Sequence, residues 1–219
     1  MEWFIIFLAL GVAIGPILYL MPSDRDRYIT GLRTVASRQG YTVQLDKVLK
    51  LDPSDEERVT AGGGVRYPMV SCARYQLPLG VTLNNLLPLT LLRIPPQPSV
   101  PIERLLGDWG IALVDPAQQK ALAHWRANPS AASETVTVLK QLPLDVLAVQ
   151  LDKRFVAAFW LEKNPSAQNS KAQPLALFWP NKKPKAPATL AELPRLKTLD
   201  DAMKALLNVV KKHWGVSHG

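Results

Sequence analysis

One cysteine and three histidines are all the thiol and imidazole chemistry in this chain of 219 residues, so their spacing decides what reactions it supports. A Cys72 nucleophile needs a base, and His124 is the histidine that lies away from the C-terminal end. A carboxylate such as Glu162, following the apolar run Phe155 to Leu161, is the other candidate for a cleft beside that run. These residues describe a tethered enzyme of unspecified reaction, with Cys72 or Glu162 as the reactive group. The surroundings favour a plainer account: Val70-Ser71-Cys72-Ala73 reads as a buried strand residue among small and apolar neighbours. His213 and His218 stand at the tail, no second cysteine exists, and no pair of histidines has metal-ligand spacing. No Gly-x-Ser-x-Gly occurs. The run Gly62-Gly63-Gly64 lacks the Lys-Ser or Lys-Thr of a phosphate loop and leads into Val65-Arg66-Tyr67-Pro68, so it reads as a flexible connection. No catalytic residue, metal or cofactor is assigned.

The elements that would position these groups begin with Trp3 to Met21, 19 positions without a charge. As a helix they span roughly 28 Å, the thickness of a bilayer's hydrocarbon core. Trp3 and Tyr19 lie where aromatic rings meet the two interfaces, and the flanks lack the pattern of a cleaved signal. The expectation is a transmembrane anchor over residues 1–22. No Lys or Arg precedes it, whereas Arg25, Arg27, Arg33 and Arg38 follow. That asymmetry places the N-terminus outside and the domain in the cytoplasm, in a single-pass inner-membrane protein. Gly11 and Gly15 form a small-xxx-small pair, a face for a partner helix or for homodimerisation through the anchor.

The remainder is expected to fold as α+β: a small mixed α/β domain over residues 23–162, then a basic Pro-rich segment over 163–197 and a C-terminal helix over 198–213. Ser23 caps a helix with Tyr28, Ile29, Leu32, Val35 and Ala36 on one stripe, stopped at Gly40. Tyr41 to Leu45 and Val70 to Leu77 have strand patterns, with the acidic loop Asp52-Pro53-Ser54-Asp55-Glu56-Glu57 between them. Leu77 to Ile94 is apolar but broken by Pro78, Asn84, Asn85 and Pro88, which predicts buried structure turning at the Asn pair, with an apolar patch lying on the bilayer or a partner as the alternative. Helices are expected over Pro101 to Trp109, Pro116 to Ala127 and Ala131 to Leu142. Val146 to Leu151 and Phe155 to Leu161, separated by Asp152-Lys153-Arg154, form an antiparallel hairpin. Thr198 and Asp201 have capping-box spacing ahead of a stripe through Leu199, Ala202, Met203, Leu206, Leu207 and Val210.

Charge is uneven, about neutral before residue 110 and strongly positive after it, for a net +8. Lys182, Lys183 and Lys185, with Lys211 and Lys212, are the candidate contacts for anionic lipid or another polyanion. Nucleic acid is the rival ligand, with Phe178 and Trp179 beside the lysines, but no RRM, KH or helix-turn-helix signature accompanies them.

In layout, a short outer end, one span and a basic inner domain is similar to the accessory subunit of the bacterial preprotein translocase. The likeness covers the anchor and its flank and carries over no residue. The expected function is therefore that of an accessory or scaffold protein, binding a protein partner beside a larger membrane complex. The alternatives are the tethered enzyme and lipid or nucleic-acid binding through the basic segment.

Overall fold

The computed structural model describes Trp3, residues 23–163, Pro187 and residues 189–215. The first helix, α1 (Asp24–Arg38), starts where a capping box forms: the Ser23 hydroxyl accepts from the Asp26 amide and the Asp26 carboxylate accepts from the Ser23 amide. It ends at Gly40, whose φ of 91° suits a residue without a β-carbon. There follow β1 (Thr42–Leu49), the short α2 (Asp55–Arg58), β2 (Met69–Pro78), β3 (Leu89–Arg93), β4 (Ile102–Leu106) and β5 (Trp109–Ala112). Next come α3 (Pro116–Arg126), α4 (Pro129–Leu139), β6 (Val146–Leu151), β7 (Phe155–Trp160) and, after a 3-10 turn, α5 (Pro194–Trp214).

The seven strands form one antiparallel sheet in the order β1-β2-β7-β6-β3-β5-β4. Side chains alternate between its faces, and the two faces are treated differently. Tyr75, Leu77, Leu91, Val149, Leu151, Ala158 and Trp160 turn towards α1, α3, α4 and α5 and make the main core with them. Burying an aliphatic side chain of this kind contributes about 1.5–3 kcal/mol. Among the described residues no helix contributes to the cluster on the opposite face. This smaller cluster of Val48, Cys72, Leu92, Ala112, Ala148 and Phe159 is closed over by Leu51 and Val100 from two loops. Those loops are tied together by the Ser99 amide donating to the Leu51 carbonyl at 2.8 Å.

The structure corrects the expected fold. Among the described residues no helix is long and apolar enough to cross a membrane. The longest, α5, has 21 residues, but Arg195, Lys197, Asp201, Lys204, Lys211 and Lys212 give it a charged flank and it packs its other side on the sheet. The segment read as an anchor lies, apart from Trp3, outside the described residues. The assignment as a single-pass inner-membrane protein, N-terminus outside and domain cytoplasmic, is corrected on the same finding. What the chain builds is a mixed α/β fold around a seven-stranded sheet, in which the β6–β7 hairpin is one part.

Two local readings change as well. Pro101 to Trp109 is not a helix: β4 and β5 fill it, reversing at Gly107 with a φ of 61°. Leu92, Trp109 and Ile111 supply the buried contacts that override its helical spacing. The last helix starts at Pro194 rather than at Thr198, because Pro fits the first turn, where its missing amide costs nothing. The Thr198 hydroxyl donates back to the Pro194 carbonyl at 3.0 Å, inside the helix.

Candidate interaction surface

Of the residues nominated for catalysis, Cys72 and Glu162 line one groove between α1 and the sheet, whereas His124 lies elsewhere. Cys72 lies on β2 in the smaller cluster, 6 % exposed. Burial pushes its thiol up to about 11, and the carboxylates of Asp46 and Glu162 push the same way. A thiol so protonated near neutral pH is a poor nucleophile. His124 sits on α3, its Nε2 2.7 Å from the Asn85 carbonyl, in a depression shared with Asn128, His213 and Trp214 but not with Cys72. Two histidines thus come together that the sequence did not pair, and among the described residues no group of three His, Cys, Asp or Glu side chains could hold a metal ion.

Glu162 is occupied on both oxygens. Arg33 Nε donates to Oε1 at 2.8 Å, a second guanidinium nitrogen of Arg33 donates to Oε2, and the Tyr75 hydroxyl donates to Oε1 at 2.7 Å. Burial, reinforced by the Glu162 charge, holds the Tyr75 phenol well above the usual tyrosine range. Tyr75 in turn packs edge-on against Trp160 at 5.2 Å and against Tyr41 at 6.2 Å. The Tyr41 hydroxyl donates to Asp200 Oδ1 at 3.1 Å, and Lys204 donates to Asp200 Oδ2 at 2.7 Å. This chain of polar contacts ties α1, β1, β2, the end of β7 and α5 together. Its carboxylates are already satisfied, so it reads as architecture.

Of the basic candidates, Lys182, Lys183 and Lys185 lie outside the described residues, as do Gly11 and Gly15. Lys211 is exposed in the last turn of α5, while Lys212 is bound to Glu134 of α4 at 2.7 Å. Part of the charge at that end is therefore spent within the fold.

What the structure brings together instead is apolar. Between β1 and β2 the chain projects as an arm, residues 50–68. A capping box at Ser54 starts α2, the Lys50 ammonium binds Glu57 at 2.6 Å, and Arg66 Nε donates to the Glu57 carbonyl at 2.6 Å. Val59 and Val65 face each other across an isolated antiparallel bridge, and the chain reverses between them at Gly63, with a φ of 77°. On this braced arm and its junction with β2, Val59, Val65, Tyr67 and Met69 all stand half or more exposed, Val65 at 73 %. Val59 and Val65 are cross-strand neighbours, and Val65, Tyr67 and Met69 occupy alternate positions of the sequence leading into β2. Reading the glycines as a flexible connection missed this, although the Val65-x-Tyr67-x-Met69 alternation was the available signal.

Beside the arm, β1 is an edge strand. Its register with β2 extends to the Lys50 amide donating to the Pro68 carbonyl at 2.9 Å, so the even-numbered residues of β1 bond inward. The backbone groups of Val43, Leu45, Lys47 and Leu49 therefore face outward. Among the described residues, the bond to this edge comes from the strand's own side chain: the Lys47 amide donates to Asp46 Oδ1 at 2.8 Å. Leu45, 78 % exposed, rims a groove whose other walls include Ile29 of α1 and Ala73 of β2.

No protein-family profile, curated protein or solved structure matches this chain.

Proposed function

We propose that the domain works by binding another protein, through the apolar arm between β1 and β2. The observation that carries this reading is the set Val59, Val65, Tyr67 and Met69, presented on a braced projection rather than scattered over the surface. Exposed apolar groups held in one place mark interaction sites. Burying each in a partner's groove would contribute on the order of 1–2 kcal/mol. The arm is also fixed before any partner arrives, which lowers the ordering cost of association. The accessory or scaffold role expected from the sequence thus continues as a proposal, resting on the arm. Catalysis is the weaker reading, because Cys72 is protonated and Glu162 is fully engaged.

The test is site-specific photo-crosslinking in the native source, with a benzophenone side chain at Tyr67 and, as reference, at the exposed Lys140 at the end of α4. Discrete adducts from position 67 that are absent from 140, and that disappear when Val65→Ser and Met69→Ser are added, are the expected result. Identical adducts at both positions, or adducts indifferent to the two serines, would overturn the proposal.

A further inference from the structure

The outer edge of β1 carries a self-complementary register. Where an antiparallel strand adds to this edge, outward-bonding residues must face outward-bonding residues, so a second copy of β1 pairs only in registers whose facing residue numbers sum to an even value. Each such register has a two-fold axis through one residue, and the pairing is isologous. The eight residues Thr42–Leu49 overlap most fully, over seven positions, when the axis passes at Leu45 or at Asp46.

Charge separates these two. An axis at Asp46 sets that carboxylate directly against its own copy, which is destabilising. An axis at Leu45 places Leu45 against Leu45, Val43 against Lys47, Gln44 against Asp46 and Thr42 against Val48, with no like charges opposed. The Gln44–Asp46 pair is favourable in detail: Gln44 Oε1 already accepts from Arg74 at 2.7 Å, which leaves its Nε2 to donate across the axis to the partner's carboxylate. In this register the Lys47 amide exchanges its local acceptor, Asp46 Oδ1, for the partner's Val43 carbonyl. The exposed Leu45 side chains become each other's cover.

We propose that this protein self-associates by pairing β1 with β1 of a second copy, antiparallel about a two-fold axis at Leu45, joining two seven-stranded sheets into one of fourteen. The pairing uses the outward backbone of β1 and the Leu45 side chain, whereas the arm proposal uses Val59, Val65, Tyr67 and Met69, so variants at Leu45 and at Val65 with Met69 test the two separately. Natural sheets blunt free edges with charged residues, as Asp46 and Lys47 do here. The pairing at Leu45 is the register in which those same charges oppose no copy of themselves.

The experiment places cysteines in the full chain, in a Cys72→Ala background, and follows disulfide formation under mild oxidation on non-reducing gels. In the proposed register Leu45→Cys faces its own copy as a hydrogen-bonded pair, with α-carbons about 5.5 Å apart, inside the disulfide range. Lys47→Cys lies about 14 Å along the strands from its copy and is out of reach. Expected are efficient dimer cross-linking at 45, none at 47 alone, and cross-linking of Lys47→Cys when mixed with Val43→Cys.

Sedimentation of the unaltered protein should show a concentration-dependent rise from the 24.2 kDa monomer towards twice that mass. Leu45→Asp, at a position whose side chain the fold leaves in solvent, should raise the dissociation constant about tenfold or more with an unchanged circular dichroism spectrum. A chain that stays monomeric at every concentration would overturn the proposal. So would a dimer that cross-links as well at 47 as at 45, or one that ignores Leu45→Asp.

Discussion

Arg33 of α1 and Glu162 just past β7 meet in a two-pronged ion pair across 129 positions of sequence, in the wall of the groove that Leu45 rims. The Glu162 side chain is only 7 % exposed, and its hydrogen bonds come from Arg33 and the Tyr75 hydroxyl. Arg33 keeps about a third of its side chain in water, so solvent screening reduces what the pair is worth. Glu162→Gln removes the charge and leaves the guanidinium half satisfied. A loss of about 1–3 kcal/mol is expected in urea unfolding. A double-mutant cycle with Arg33→Met should show the two changes to be strongly non-additive. Additive losses would mean that the two side chains act separately.

The two buried phenols make alkaline stability a specific expectation. Burial and the neighbouring carboxylates raise the folded values of Tyr41 and Tyr75 well above the ordinary tyrosine value. In the unfolded chain both titrate near pH 10. Above that pH the unfolded state binds fewer protons than the folded state, so stability is fully present below about pH 10 and falls as pH rises beyond it. The two groups together should contribute about 2–3 kcal/mol per pH unit there. Urea midpoints measured from pH 8 upward in the unaltered chain and in Tyr41→Phe with Tyr75→Phe check this. The double variant should lose most of the alkaline slope while being less stable at pH 8, since Asp200 and Glu162 each lose a donor.

Gly110 in β5 has no room for a side chain. A β-carbon there would meet the Glu103 carbonyl oxygen at 2.5 Å, Ile102 Cγ2 at 2.9 Å and Ile94 Cδ1 at 3.0 Å. Gly110→Ala is therefore expected to cost about 1–3 kcal/mol by forcing β4 away from β5. Gly62→Ala, with nothing within 4 Å, should leave the thermal midpoint nearly unchanged. Equal effects at the two positions would show that the β4–β5 pair does not limit stability.

Local structure was readable wherever local rules governed it. The capping box at Ser23, the stripe of Leu32, Val35 and Ala36, proline at the start of α3, and the apolar runs flanking Asp152-Lys153-Arg154 all act within a few residues of one another. The apolar segment from Leu77 to Ile94 could be core or interface by its sequence, and the structure places Leu79, Leu83, Leu86, Leu89 and Leu91 inside.

What the sequence left open was partner choice. That β2 pairs with β7, or β3 with β6, depends on contacts between segments far apart in sequence, and nothing local to Met69–Pro78 names Phe155–Trp160 as its neighbour. The same nonlocality turned Pro101 to Trp109 into strand, because burial against the rest of the sheet outweighs helical spacing in so short a run.

By itself, then, the sequence determined the capped start of α1, the proline start of α3, the two runs of the β6–β7 hairpin, and that Cys72 belongs in a strand. Capping, proline geometry and periodicity are short-range physics. The tertiary structure alone decided that Glu162 is an ion-pair partner rather than a base, that Val59, Val65, Tyr67 and Met69 are presented together on an arm, and that β1 is left at the edge of the sheet. Each of those depends on which distant residues arrive beside the group. Exposure, charge pairing and an unfilled hydrogen-bonding edge are properties of the assembled neighbourhood, not of the residue or its spacing.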